Sequence, residues 1–339
     1  MRSGRVRIGK GLAAAVVMSF AIPGLVRAEN FCSRTAGALY DACKAGAIDD
    51  GLVQKAICLN VSDPAERNAC TQEATDARDE ANQLCREQRD WRLAACKTVG
   101  EGRYDPDFAP ALFDDPRNPT NPNRYFPLQV GNRWELRGGN EVNVVEVVNE
   151  SKSIAGVGCI VVRDLVFRDG DLAEATDDWY AHAKDGKTWY FGEEVKDFES
   201  FDGDDPRRPE LVSIDGSFKA GRDRDKPGII FLANPTKGAV YFEEFSLANA
   251  EDVTEILAVN YSFGSDSALD QSVPRQLAER LCNHDCVVTR NFSLLEPDVD
   301  ARKYYAPGIG VFLEVESTGE ISQLVDCNFD ARCTGLPQP

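Results

Sequence analysis

Two patterns of hydrophobic and polar residues divide the chain. Residues 31–98 are rich in Ala, Glu, Gln, Arg and Leu, which favour helix formation. From residue 125 onward, short runs alternate between apolar and polar residues and are separated by Gly, Asp and Asn, as is typical of antiparallel strands. The chain is therefore predicted to be an α+β protein: a helical part followed by a large antiparallel β domain, built as a curved sheet, a sandwich or a partial barrel.

The alternating runs predict about ten or more strands and one short helix. The clearest strand predictions are 133–137, 141–148, 159–167, 239–245, 253–259, 287–292 and 311–315, and the predicted helix covers 274–281. No glycine-rich phosphate-binding loop precedes a helix.

The helical part carries six cysteines at symmetric spacings. They are 11, 15, 12, 15 and 11 residues apart, so the series reads the same in both directions. Asp63-Pro64, near its centre, is a helix-start signal, with Asp as N-cap and Pro at the first helical position. Two antiparallel helices that turn there bring the cysteines together in pairs, while neighbours on one helix lie about 16 Å apart, beyond disulfide reach. The predicted bridges of this stapled helical hairpin are Cys32–Cys96, Cys43–Cys85 and Cys58–Cys70.

The first 28 residues have the three-part layout of a secretory signal. Basic residues precede an apolar stretch over about 11–25. Val26-Arg27-Ala28 follows, with small residues at the two positions that signal peptidase recognises. The stretch is too short for a comfortable membrane span, and no cysteine stands at the cleavage point to carry a lipid. With eleven cysteines in all, the sequence predicts an exported protein, periplasmic or secreted, without a membrane span after cleavage. An uncleaved anchor is the alternative.

The predicted boundaries follow these changes of pattern. Residues 1–28 form the signal peptide, 29–99 the hairpin, 100–127 a linker and 128–339 the β domain. The linker is rich in Pro, Asp and Asn, and its X-Pro steps disfavour helix and favour a stiff, extended connector.

The charge of the chain restricts its partners. The full sequence has a net charge of −18, and loss of the signal, with five basic and no acidic residues, leaves −23. An acidic surface of this kind repels anionic lipid and nucleic acid, so no nucleic-acid partner is expected. It favours cationic partners or divalent cations, but a merely solvated surface is the favoured explanation. The sequence does not identify the ligand or protein partner.

The five cysteines of the β domain are harder to pair. Local bridges Cys282–Cys286 and Cys327–Cys333 are predicted, with crossed pairings as the alternative. Cys159 is then left over in an apolar strand, where a buried, unreactive thiol is expected.

A dense aromatic segment surrounds Asp185-Gly186, which is a strong signal for a two-residue hairpin turn. Such a turn places four side chains on one face: Tyr180, His182, Trp189 and Phe191. Packing across the strands accounts for them, and the functional alternative is a stacking platform for sugar rings or another flat ligand. The candidate ligand-binding residues are Trp179, Tyr180, His182, Trp189 and Phe191.

No catalytic residue is assigned, because the sequence has no recognisable catalytic motif. With only His182 and His284, it lacks the histidine clusters of zinc hydrolases, and it has no G-x-S-x-G nucleophile elbow. Carboxylates could supply the acid and base of a hydrolase, and the candidates are Glu174, Asp177, Asp178, Glu193, Glu194, Glu296 and Asp298. The acidic loops 202–205 and 223–225 could bind calcium, although neither has EF-hand spacing. No other cofactor is predicted.

Several segments of the β domain match a known pattern. Asp178-Trp179-Tyr180-Ala181 is followed by Asp185-Gly186, Trp189-Tyr190-Phe191-Gly192-Glu193 and Lys303-Tyr304-Tyr305-Ala306-Pro307-Gly308-Ile309-Gly310. Further matching segments are 121–131, 156–164, 226–230, 250–252 and 294–298. These residues resemble the signature of a family of exported bacterial proteins of uncharacterised function. The resemblance covers about residues 121–326 and implies an exported β domain, without an activity or site residues; the hairpin and the Cys282/Cys286 pair lie outside the pattern.

The leading functional hypothesis is a non-catalytic exported protein whose β domain binds a ligand or partner, with the hairpin as a spacer or docking surface. One alternative is a carboxylate-dependent hydrolase of an extracellular polymer. The other is a structural or adhesion module stiffened by calcium.

Overall fold

The structure is a computed structural model that describes residues 30–297 and 299–339. The predicted signal peptide, 1–28, and the candidate carboxylate Asp298 lie outside the described residues.

The N-terminal part is a hairpin of two long helices, α1 (Phe31–Cys58) and α2 (Pro64–Val99). Asp63 caps α2, since its side chain accepts hydrogen bonds from the backbone N–H groups of Ala65 and Glu66 at 2.8 and 2.9 Å. The three bridges are those that the symmetric spacing predicts: Cys32–Cys96, Cys43–Cys85 and Cys58–Cys70. No helix within residues 30–297 and 299–339 combines the length and apolar character that a membrane crossing requires.

The described residues after the hairpin fold as strands, one short α-helix, α3 (Arg275–Leu281), and two 3-10 turns, Pro110–Leu112 and Ala331–Cys333, which confirms the predicted α+β fold. The strands are β1 (Arg133–Gly138), β2 (Glu141–Ile154), β3 (Val157–Arg168), β4 (Asp171–His182), β5 (Thr188–Glu194), β6 (Asp197–Glu199), β7 (Glu210–Ser213), β8 (Phe218–Lys219), β9 (Lys226–Phe231), β10 (Val240–Phe242), β11 (Glu244–Phe245), β12 (Asp252–Tyr261), β13 (Cys286–Ser293), β14 (Asp300–Ala306), β15 (Gly310–Glu316) and β16 (Ile321–Cys327).

These strands form one antiparallel sheet that nearly closes on itself. Its order is β10-β12-β13-β14-β15-β16-β1-β2-β3-β4-β5-β9-β11, with β6, β7 and β8 attached at the side. The two end strands are consecutive parts of segment 240–245, interrupted only by Glu243. The first part, β10, pairs with β12, and the second, β11, pairs with β9. One segment therefore joins both ends of the sheet, and we call the domain a near-barrel.

The outer face of the near-barrel is covered from two sides. Around Tyr304, helix α3 and the segments beside it pack against β13–β16, and the Tyr304 hydroxyl donates a hydrogen bond to the Leu269 carbonyl at 2.5 Å. On the other side, Phe108 and Phe113 of the predicted linker pack on Phe191 of β5. Segment 100–127 is thus not a free connector; it lies along the β domain and contributes to its core.

The helical hairpin docks on the near-barrel through the C-terminal part of α2. Arg92 forms a two-fold ion pair with Glu251, with both N···O distances 2.8 Å and with 5 % and 3 % of the two side chains exposed. Trp91 packs against Phe292 of β13, with ring centroids 5.6 Å apart. The hairpin is therefore held on the sheet beside β10 and β12 and does not stand away from it as a detached spacer.

Candidate functional site

The aromatic hairpin of β4 and β5 forms, but its register differs from the sequence prediction by one residue. Tyr180 pairs with Tyr190, and His182 pairs with Thr188, because the turn spans three residues instead of two. A one-residue shift moves every side chain of one strand to the opposite face. The predicted common face of Tyr180, His182, Trp189 and Phe191 is therefore wrong.

All five candidate ligand-binding residues are buried, so they form no open stacking platform. Trp179, Trp189 and Phe191 lie in the outer core under Phe108 and Phe113 of segment 100–127. His182 is 2 % exposed, and its burial lowers the pKa of its imidazole to about 4, so it is neutral at physiological pH. Tyr180 faces the other way, into the near-barrel, where it stacks on Tyr190.

The interior of the near-barrel contains a cavity of about 210 Å³, which we call the interior cavity. Its apolar and aromatic wall includes Phe126, Leu128, Trp134, Val162, Tyr180 and Tyr305, and its polar wall consists of Asn143, Asp164, Asp178, Lys303, Glu314 and Ser322. Strand pairing explains the convergence. Asp164 lies opposite Val145, and Asp178 lies opposite Val162, so both carboxyls share the inner face with apolar residues of β2 and β3.

A group of acidic side chains extends from this cavity across the interior. We call it the acidic cluster: Asp164, Glu174, Asp178, Glu193, Glu243, Glu244 and Asp252. Asp178 and Glu193 are direct cross-strand partners on β4 and β5, and the Tyr190 hydroxyl donates a hydrogen bond to Asp178. On the far side, Asn291 donates to Glu243 at 2.7 Å. The members influence one another electrostatically and therefore behave as one site.

Burial and mutual repulsion make Asp164, Asp178 and Glu193 hard to ionise. Burial, followed by repulsion from Asp178, raises the pKa of Asp164 to about 8. Burial likewise raises the pKa of Glu193 to about 8, with repulsion from Glu174 adding to it. The pKa of Asp178 lies well above its usual range for the same two reasons, burial first and Glu193 second. Strongly shifted pKa values of this kind are commonly found at functional sites.

The cavity wall also holds two acceptor atoms without donors. The Oδ1 atoms of Asp164 and Asn143 are both buried and have no hydrogen-bond partner among the described residues. Lys303 is the cation among the described lining residues, and its ammonium lies 3.9 Å from a carboxylate oxygen of Glu314. Attraction to Glu314, Glu243 and Asp252 raises the pKa of Lys303, so its charge is already engaged.

The carboxylates proposed from the sequence separate into two groups. Glu174, Asp178 and Glu193 belong to the acidic cluster. Asp177 and Glu194 take part in ion pairs, with Arg163 at 2.9 Å and Lys196 at 2.7 Å, and Glu296 is exposed. Sequence reasoning missed Asp164 and Lys303. The available signal was a charged residue at an inward position of an otherwise apolar strand, as in Val161-Val162-Arg163-Asp164-Leu165.

The wall of the interior cavity is assembled from several separate segments of the chain. These segments supply Phe126, Asp164, Asp178, Ile230 and Lys303. They lie far apart along the chain, and the near-barrel brings them within one small volume.

The remaining sequence predictions concern cysteines and metals. The bridges of the β domain are Cys282–Cys286 and Cys327–Cys333, and burial raises the pKa of the free Cys159 thiol to about 12. Loop 202–205 is exposed, and Asp223 pairs with Arg222 at 3.4 Å. In the part of the chain that the structure describes, no three His, Cys, Asp or Glu side chains are grouped so that they could hold a metal ion.

Comparison with known proteins adds little to this picture. No protein-family model matches the chain, and no curated protein matches it. Among solved structures, the chain is similar to a crystal structure described as a "putative lipoprotein" from Parabacteroides distasonis. The match has 10 % identity and a TM-score of 0.30, and it covers 62 % of this chain and all of the other. The function of the protein therefore has to be argued from its own site.

Proposed function

We propose that the protein is a non-catalytic exported binding protein whose interior cavity binds a small organic cation. The observation that carries this proposal is the excess of buried carboxyl groups over buried cations around the cavity. Three carboxyls line the cavity, those of Asp164, Asp178 and Glu314, whereas Lys303 contributes one positive charge. The rest of the acidic cluster extends from Asp164 and Asp178 across the interior. A cationic ligand would reduce the repulsion that, together with burial, raises the pKa values of Asp164 and Asp178.

The two unpartnered oxygen atoms indicate which functional group the ligand carries. Asp164 Oδ1 and Asn143 Oδ1 are acceptors, and a buried acceptor without a donor is energetically costly. An ammonium or guanidinium group supplies donors as well as charge, whereas an anion or an ether supplies neither. The aromatic rings of Trp134, Tyr180 and Tyr305 favour an organic cation, because a cation is attracted to an aromatic face.

The size of the cavity favours binding over polymer hydrolysis. Its volume of about 210 Å³ lies below the roughly 300–1,000 Å³ of most ligand pockets, so it suits a ligand with few heavy atoms. A polysaccharide chain needs an open cleft, and Glu193, the cross-strand partner of Asp178, does not line the cavity.

A carboxylate-dependent hydrolase is the second candidate, and one observation favours it. Asp164 and Glu193 have pKa values raised to about 8, so either could act as a general acid at neutral pH. Turnover of a soluble glycan that is lost in the Glu193→Gln variant would support this candidate over binding alone.

Calorimetric titration with putrescine, agmatine and choline tests the binding proposal. At least one of these cations is expected to bind, and Asp178→Asn is expected to weaken its affinity by about tenfold or more, because a charge-assisted hydrogen bond is lost. Asp177→Asn is the matched control, since this neighbouring carboxylate pairs with Arg163 outside the acidic cluster.

Three results would contradict the proposal: no binding of any cation, equal affinities of the two variants, or equally tight binding of neutral isosteres. Thermal melting with calcium and with a chelator belongs to the same experiment. A rise in melting temperature with calcium alone would favour the calcium-stiffened structural module.

A further inference from the structure

A second and larger cavity lies where the helical hairpin docks on the near-barrel. It has a volume of about 520 Å³, within the range of small-molecule sites, and we call it the apolar groove. Its walls are formed by the ends of α1 and α2 on one side and by strands β9 to β11 on the other. The lining side chains that matter here are Phe31, Leu39, Val99, Phe242, Phe245 and Leu247.

Two polar side chains of the apolar groove already have partners. Glu251 accepts both hydrogen bonds from Arg92 and a third from the backbone N–H of Ala248 at 2.6 Å. The Tyr104 hydroxyl donates to the Pro227 carbonyl at 2.9 Å. The hydroxyl of Tyr241, which also lines the groove, has no hydrogen-bond partner among the described residues. The other lining side chains are mainly apolar, so the groove offers mostly apolar surface to a ligand.

We call the part of the groove around Phe31 its mouth. Two arginines lie beside this ring: Arg103 lines the groove, whereas Arg34 lies outside its lining. The guanidinium carbon of Arg103 lies 3.9 Å from the centre of the Phe31 ring, and that of Arg34 lies 6.0 Å from it. Within residues 30–297 and 299–339, neither guanidinium has an ion-pair or hydrogen-bond partner among the side chains. Asp105 is close enough to Arg103 to be affected by it, but its ion pair is with Lys226 at 2.5 Å.

We propose that the apolar groove binds a single-chain anionic amphiphile of the fatty-acid class. The alkyl chain packs between Leu39, Phe242 and Phe245, and the carboxylate is held at the mouth by Arg103 and Arg34. Arginine matches a carboxylate in both charge and hydrogen-bond geometry.

The negative net charge of the protein does not prevent this binding. Exposed charges more than about 10 Å away are largely screened at 0.1 M salt. The electrostatic potential at a bound head group is therefore set mainly by the charges close to it. Arg103 lines the groove and Arg34 lies beside the same Phe31 ring, while the neighbouring carboxylate of Glu101 already accepts two hydrogen bonds from Ser33.

The test uses three dodecyl compounds that differ only in their head group: laurate, dodecanol and dodecylamine. In calorimetric titrations of the purified protein, laurate is expected to bind about tenfold or more tightly than dodecylamine, with dodecanol between them. Arg103→Glu is expected to weaken laurate binding by about tenfold or more and to strengthen dodecylamine binding. Arg208→Glu is the matched control, because Arg208 is exposed and lies outside the groove lining.

A second pair of variants tests the wall. Leu247 lines the groove with 41 % of its surface exposed, so Leu247→Glu places a carboxylate on the alkyl path without disturbing the core. Leu211→Glu is its control, at an exposed leucine of β7. The first variant is expected to lose laurate affinity, and the second is expected to keep it.

The proposal is overturned if laurate fails to bind, if dodecylamine binds as tightly, or if the control variants lose as much affinity as the groove variants. Asp178→Asn separates this site from the interior cavity. Laurate binding that survives Asp178→Asn and fails in Arg103→Glu belongs to the groove, whereas the reverse pattern would assign it to the cavity and refute the groove site.

Discussion

Replacement of Glu251 by Gln is expected to reduce the free energy of unfolding by about 3–5 kcal/mol. The reason is the burial of its partner. Arg92 is 5 % exposed, and both of its hydrogen bonds go to the carboxylate of Glu251, which is itself 3 % exposed. The amide of Gln leaves the guanidinium charge uncompensated at a position with little exposure to solvent. It also turns one of the three acceptor contacts of Glu251 into a clash of donors.

Urea denaturation followed by circular dichroism measures this loss, and an exposed ion pair supplies the control. Arg275 and Glu279 form an i,i+4 pair on α3 at 2.8 Å, with 70 % and 49 % of their side chains exposed. Glu279→Gln is expected to change the free energy of unfolding by less than about 0.5 kcal/mol. Equal effects of the two substitutions would mean that the Arg92–Glu251 contact does not hold the hairpin on the sheet.

The ligand-free protein is expected to lose stability between pH 5 and pH 8, and Asp164 is expected to account for about 2–4 kcal/mol of that loss. The folded pKa of Asp164 is raised to about 8, whereas its unfolded pKa is near 4. The folded state therefore holds a proton that the unfolded state has released. The resulting contribution to stability is complete below about pH 4 and disappears as the pH rises towards 8.

Comparison of the wild type with Asp164→Asn isolates this contribution, because the amide cannot ionise. The difference in free energy of unfolding between the two proteins is expected to move by the same 2–4 kcal/mol, in favour of the variant, as the pH rises from about 5 to 8. Asp204→Asn, in the exposed loop 202–205, is the control and should leave the pH profile unchanged. A pH profile of Asp164→Asn parallel to that of the wild type would contradict the raised pKa.

The local parts of this fold follow from the sequence, and the non-local parts do not. Cysteine spacing predicts the helical hairpin, because the helical repeat fixes which pairs can meet between Cys32 and Cys96. Alternating runs predict the strands. Closure of the sheet depends on segment 240–245, whose first part pairs with β12 and whose second part pairs with β9. No local sequence pattern predicts that one segment pairs with both ends of the sheet.

The same limit explains the partial prediction of the candidate site. The sequence predicts Glu174, Asp178 and Glu193 as candidate carboxylates beside an aromatic hairpin. Their proximity to Asp164 and Lys303 depends on the curvature of the whole sheet, which the sequence does not reveal. The predicted register of the β4–β5 hairpin is wrong because the turn contains one extra residue. That residue places Trp189 and Phe191 on the face of the sheet opposite to Tyr180. The turn contains Gly186 at φ +89°, which suits the longer loop as well as the two-residue turn.

Two strand pairings of the near-barrel become possible at very different moments of synthesis. The pairing of β11 with β9 joins neighbouring parts of the chain, such as Glu244 with Pro227. The pairing of β1 with β16 joins Trp134 to Cys327, nearly two hundred residues later. A chain that emerges from its N-terminus can complete the hairpin and most strand pairs while the last strand is still missing. Until β16 arrives, the β1 edge stays unpaired and the acidic interior stays open to solvent on that side. The final stretch of the chain therefore decides when the cavity comes into existence.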